Sequence, residues 1–245
     1  MRRLAVIALV LACLAGIAAF QLTRPQRATG DPRVFVPSPK FYLDFSPSFR
    51  TTVADAYWLL TVQYYGEHVT GDKRLDSLPD MLDLVTRLSP HFSRAYLFGA
   101  FALLDANKPR DSYDLLVRGF KENPDEWKLP ATIGFFVYSF ASNKDKDRIA
   151  AGWYQKAAAI AGRPDYIPRL AAELLTRGGE RQKAEIMWAQ VYAEGDKYAQ
   201  DKAVKALDEL LPQNRDERLK AMAPLAPIMP SPVFNELLAR LFARY

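Results

Sequence analysis

Apolar side chains recur at helical spacing along most of this 245-residue chain, and over Leu78–Val191 the pattern repeats itself. Pro90 and Pro124 lie 34 residues apart, each closing a polar turn. Ala150, Tyr154 and Ala157 return 34 residues later as Ala184, Trp188 and Val191, each a small residue, an aromatic and a small or medium one. Ser112, Leu116 and Gly119 give the same spacing 38 residues before Ala150, as though one helical turn had been inserted. A fixed step of this length with helical spacing inside it is what stacked helix pairs produce. The periodicity and its stop signals predict helices over Thr52–His68, Leu78–Leu88, Ser93–Ala106, Asp111–Lys121, Pro130–Ser142, Asp147–Ala161, Ile167–Arg177, Glu180–Gly195, Tyr198–Leu211, Asp216–Met222 and Pro232–Tyr245. Within the first of these, Trp58, Val62 and Tyr65 share a face. Asn107-Lys108-Pro109, Gly162-Arg163-Pro164 and Gly178-Gly179 mark helix ends. Strand-like alternation is not sustained, so the fold class expected is all-α, an α-solenoid.

These residues resemble the tetratricopeptide repeat (TPR) family, whose unit of about 34 residues is a helix–turn–helix. Trp58, Val62 and Tyr65 resemble a first helix A, and Tyr96, Gly99 and Leu103 a second. Ser112/Leu116/Gly119/Pro124, Ala150/Tyr154/Ala157 and Ala184/Trp188/Val191 resemble three helices B. The likeness is degenerate: Leu78/Leu82/Val85 stand in for the small residues of the first helix B, and Gly162 and Asp196 occupy later proline positions. The resemblance implies a groove lined by helices A that binds a segment of a partner protein. It places Gln63, Leu97, Phe101, Asp105, Phe135, Ser139, Arg169, Glu173 and Arg177 toward that groove. Side-chain size alone argues otherwise for Phe101 and Phe135, since large aromatics are usually buried. Arg169, Glu173 and Arg177, at steps of four, also suit a solvated ion-pair stripe.

The termini change the picture. Arg2 and Arg3 precede Leu4–Phe20, seventeen residues without a charge, at the short limit for a membrane-spanning helix. Residues 1–22 are therefore expected to form a signal anchor. A signal cleaved after Ala18 or Ala19 and a lipidated Cys13 are the alternatives, and all three export the remainder. Positive charge before the run favours a single pass through an inner membrane with the bulk periplasmic, or a secreted chain after cleavage. Residues 23–47 carry Pro25, Pro32, Pro37, Pro39 and Pro47 and are expected to be an extended linker, with Val34–Val36 and Phe41–Phe45 packing along the first helices. TPR-like repeats follow over 48–196, then capping helices over 197–245.

Composition excludes several function classes. The formal charge of +5 resides almost wholly in residues 1–30, which hold four of the 33 basic side chains and none of the 28 acidic ones. The remainder has no excess with which to clamp a polyanion, so nucleic acid is not expected. Cys13 is the only cysteine, and His68 and His91 the only histidines, so neither a disulfide within the chain nor a cysteine or histidine metal centre is expected. Phosphate loops, HExxH, GxSxG and CxxC are absent, and no cofactor is implied. The expectation is a non-catalytic, membrane-anchored scaffold binding a partner protein. Two alternatives are an exported helical enzyme acting on cell-wall glycan, with Glu67 or Glu173 as general acid, and a permanent structural subunit of an envelope complex.

Overall fold

The computed structural model describes residues 35–45 and 47–243. The expected anchor over 1–22, with Cys13, lies outside the described residues, and among those described no helix is long and apolar enough to cross a membrane. Val36 onward forms a single compact unit, with no boundary between repeats and capping helices. It contains helices α1 (Pro39–Phe45), α2 (Arg50–Val69), α3 (Leu78–Leu88), α4 (Ser93–Asp105), α5 (Pro109–Glu122), α6 (Lys128–Phe140), α7 (Lys146–Ala158), α8 (Tyr166–Arg177), α9 (Arg181–Glu194), α10 (Lys197–Leu210), α11 (Arg215–Met222) and α12 (Ser231–Phe242). Short 3-10 turns precede α2 and follow α11, and the described residues include no strand. The chain is thus all-α.

From α2 to α10 each helix packs against the next, and α4 also touches α2 and α6. This order of contacts, successive pairs laid side by side, is that expected of an α-solenoid. The equivalence of the pairs shows in their turns. Ser89, after α3, has φ −131° and ψ 75°; Asn123, after α5, has φ −133° and ψ 67°. These turns also abut: the Asn123 side-chain amide donates to the Pro90 carbonyl at 2.9 Å. At the ends of α4 and α8 the chain turns by the same device. Asn107 (φ 57°) and Gly179 (φ 75°) adopt the left-handed conformation. The amides of Lys108 and Glu180 then reach back to Leu103 (2.8 Å) and Leu175 (3.0 Å), satisfying carbonyls the helix leaves unpaired.

The small–aromatic–small triplets hold the pairs together. Ser112, Leu116, Ala150, Tyr154, Ala157, Ala184, Trp188 and Val191 are all buried. The Trp188 indole N–H donates to Thr176 Oγ1 at 3.0 Å, so the large ring is packed and its polar edge satisfied. At Gly119 two helices approach closely: a Cβ there would lie 2.6 Å from Cγ of Tyr96. Tyr96 is itself fully buried, with its hydroxyl on the Thr86 carbonyl at 3.2 Å. Beyond α6 a continuous core runs from Ala131 to Leu241 and takes in α12. Its far end holds Arg218, completely buried, whose guanidinium pairs with Asp208 and lies 5.8 Å from the Phe242 ring.

Several expectations need correction. Residues 39–45, expected to be extended, form α1, because Pro39 occupies the first turn, where its missing N–H is no loss, and no proline follows until Pro47. Of the apolar residues expected to pack on the first helices, Tyr42 and Val36 do so, against Ala54, Leu84 and Leu88, whereas Phe35, Phe41 and Leu43 are exposed. Pro109 opens α5 rather than merely ending α4. α7 ends at Ala158, so Gly162 (φ 76°) lies in the following turn and not at its cap. Helix α2 is also rotated from the expected register. It buries Ala54, Thr61 and Tyr64, and leaves Val62 38% exposed. Trp58 and Tyr65 serve the neighbouring helix instead, edge-on to Phe98 at 5.2 and 5.3 Å.

Candidate functional site

The first helices of the second, third and fourth pairs, α4, α6 and α8, bound an apolar depression of about 410 Å³. Two positions recur across it. Leu97, Ala131 and Tyr166 line one row, and Phe101, Phe135 and Leu170 the other. The steps are 34 residues from α4 to α6 and 35 from α6 to α8. Each pair lies one turn apart on its helix, so the same face is presented three times over. Tyr154 from α7 forms the floor. It reaches there because α6 carries Gly134 opposite it, where a Cβ would sit 2.8 Å from the Tyr154 ring. Burial, and then the neighbouring Tyr166, raise the Tyr154 hydroxyl above its ordinary pKa, keeping it neutral and weakly polar.

Phe101 is 48% and Phe135 43% exposed, so the expectation that their size would bury them does not hold. Each is braced by a buried neighbour: Phe136 meets Phe101 edge-on at 5.1 Å and Phe135 at 5.9 Å. The rings are therefore fixed in place with one side bare, which lowers the entropy lost on contact with a ligand. Trp127 and Lys128 close the rim at the start of α6, the lysine 3.9 Å from the Glu126 carboxylate.

Of the nine residues expected to face a groove, Leu97, Phe101 and Phe135 line the depression. The other six do not. Gln63 and Ser139 are exposed on α2 and α6. Asp105 is exposed at the end of α4 and accepts the Tyr65 hydroxyl, raising that tyrosine's pKa to about 12 through the hydrogen bond first, then burial and the carboxylate charge. Arg169 lies 4.0 Å from Glu173 and 5.5 Å from the Tyr198 ring, and Arg177 donates to the Tyr138 hydroxyl at 3.3 Å. A constant step of 34 from Phe135 lands on Arg169. The connection to α8 carries one residue more, and that single residue puts Leu170 in the depression and turns the charged stripe away from it. Trp127 and Tyr166 were missed because they stand at helix starts, outside the interior stripes that periodicity picks out.

A second depression, of about 440 Å³, lies on the other helices of the first two pairs and includes Asp80, Asp83, Asp111 and Asp114. Its central charge is neutralised, since Asp83 pairs with both Arg87 (2.7 Å) and Arg118 (2.6 Å). Glu67 is exposed, and the Glu173 side chain is 41% exposed beside Arg169; neither lines a depression described above. Among the described residues no three side chains of the metal-binding types converge. No family model matches this chain, and no curated protein matches it in sequence.

Proposed function

We propose that this protein is a non-catalytic scaffold of the TPR type, which holds an apolar segment of a partner protein across α4, α6 and α8. The observation that carries the proposal is the row of equivalent apolar positions in three successive helix pairs, half-bare at Phe101 and Phe135. Roughly 90 Å² of each of Phe101 and Phe135 remains open, worth about 2 kcal/mol per ring if fully covered. That is the scale of an interface anchor. The N-terminal apolar run would tether the scaffold to a membrane with its repeats on the exported side, raising the effective concentration of binding surface there.

A photoreactive residue in place of Thr132, in cells carrying the full chain, tests this directly. The expected product is a crosslink to an apolar segment of another protein, reduced at least tenfold by Phe101→Glu with Phe135→Glu. Failure to crosslink, or an unchanged yield in that double variant, refutes the groove. The exposure of Phe140 (57%), outside the depression and 6.3 Å from the Phe135 ring, also favours a second reading, a subunit held permanently in an envelope complex. Exchange of crosslinked partner over minutes supports the scaffold; no exchange over a cell generation supports the permanent subunit.

A further inference from the structure

Helix α2 begins the row of first helices, and among the described residues one of its sides has no helix packed on it. It rests on α3 through Ala54, on the connection before α3 through Tyr64, and on α4 through Trp58 and Tyr65. The short helix before it, α1, sits chiefly on α3 and meets α2 near its start, where Tyr42 packs on the cluster that holds Ala54. On the side of α2 away from its buried residues, Leu59 is 64% exposed, and at the edge of that side, one turn before Tyr64, Leu60 is 44% exposed. Terminal units of stacked arrays ordinarily present a polar outer face, so this one departs from the rule. Between Arg50 and His68, the charged side chains that α2 itself carries are of one sign. Asp55 lies one turn before Leu59 and Glu67 two turns after Leu60, both exposed, and no lysine, arginine or histidine occurs between Thr51 and Glu67.

We propose that this face receives an amphipathic helix of a partner protein, with an apolar stripe flanked by lysine or arginine, which extends the row one step beyond α2. The charge pattern selects this occupant over two others. A second copy of this chain would bring its own Asp55 and Glu67 against the same acids, and anionic lipid headgroups would be repelled in the same way. The face is separate from the groove, because neither Leu59, Leu60, Asp55 nor Glu67 lines that depression.

Two measurements on the full chain in detergent test the assignment. The probe is a synthetic helical peptide with leucines at i, i+3, i+4 and i+7 and lysines on both flanks, compared with a twin carrying glutamates. Fluorescence anisotropy should show the lysine peptide binding at least tenfold more tightly, and Asp55→Lys with Glu67→Lys should reverse that preference. Asp55→Asn with Glu67→Gln should abolish it without adding any charge to the face. In cells, a photoreactive residue at position 59 should capture a protein segment with helical apolar spacing and basic flanks, whereas Phe101→Glu with Phe135→Glu should leave that product unchanged. Equal binding of the two peptides, or a preference that survives charge reversal, overturns the proposal. So does capture of lipid, a second copy, an acidic segment, or this chain's own residues 1–34.

Discussion

Replacing Gly119 with alanine tests whether the helix pairs close on one another as described. A Cβ at that position would lie 2.6 Å from Tyr96 Cγ, 2.7 Å from Cδ1 and 2.9 Å from Cβ, against about 3.5–4 Å for ordinary carbon contacts. The atoms struck are the root of the tyrosine, which cannot swing aside without moving α4. The far end is held as well, by the hydroxyl on Thr86 and by complete burial. Overpacking costs about 1–3 kcal/mol, and about 2–3 kcal/mol where, as here, the atoms struck cannot move aside; the better helix propensity of alanine returns about 1 kcal/mol. The net expectation is a loss of about 1–2 kcal/mol, or roughly 2–8 °C in Tm for a unit of this size. Gly152→Ala is the control, since nothing lies within 4 Å of its added Cβ in α7. It should gain about 0.5–1 kcal/mol. Thermal unfolding followed by circular dichroism reads both. If Gly119→Ala melts at or above the parent temperature, the close approach of α4 and α5 is wrong.

The left-handed turns give a paired expectation: Gly179→Ala should cost about 1–2 kcal/mol, while Asn107→Gly should leave stability within a few tenths of a kcal/mol or raise it, both by denaturant titration. Equal losses in the two variants would contradict their equivalence. The raised tyrosines predict an alkaline limb. Tyr65 and Tyr96 titrate at about 12, Tyr65 through its bond to Asp105 and Tyr96 chiefly through burial. An unfolded tyrosine ionises near about 10, so above that pH the unfolded chain holds fewer protons and stability falls until the folded pKa is reached. The contribution is fully present below pH ~10. Asp105→Asn should lower the Tyr65 midpoint and leave that of Tyr96, as read by tyrosinate absorbance; an unmoved Tyr65 would remove Asp105 as the cause.

The interior of the array was legible because burial and periodicity agree there. Tyr154 and Trp188 share spacing, burial and small neighbours, and all three are encoded in local sequence. Helix α2 was misread in register because two stripes compete on it. Trp58 and Tyr65 are more conspicuous than Ala54, Thr61 and Tyr64, yet they serve a lateral neighbour while the smaller set faces α3 and the connection before it. The depression was half legible. Phe101 and Phe135 followed from the repeat step, but Leu170 required knowing that one connection is longer by a residue, which a rotation of about 100° per residue turns into a change of face. Helix α1 was hidden by counting prolines without regard to position, since Pro39 starts a helix as readily as an interior proline breaks one.

The burial of Leu237 and Leu241 from α12 in the same core as Ala184 and Trp188 has a consequence for biosynthesis. A chain leaving the ribosome can complete its early pairs while later ones are still being made, because each packs on its predecessor. Helix α10 is different. Its contact with α12 waits for residues some thirty positions downstream. During that interval the nascent chain presents a sticky flank, and this is the stage at which a holding chaperone would make the greatest difference to yield.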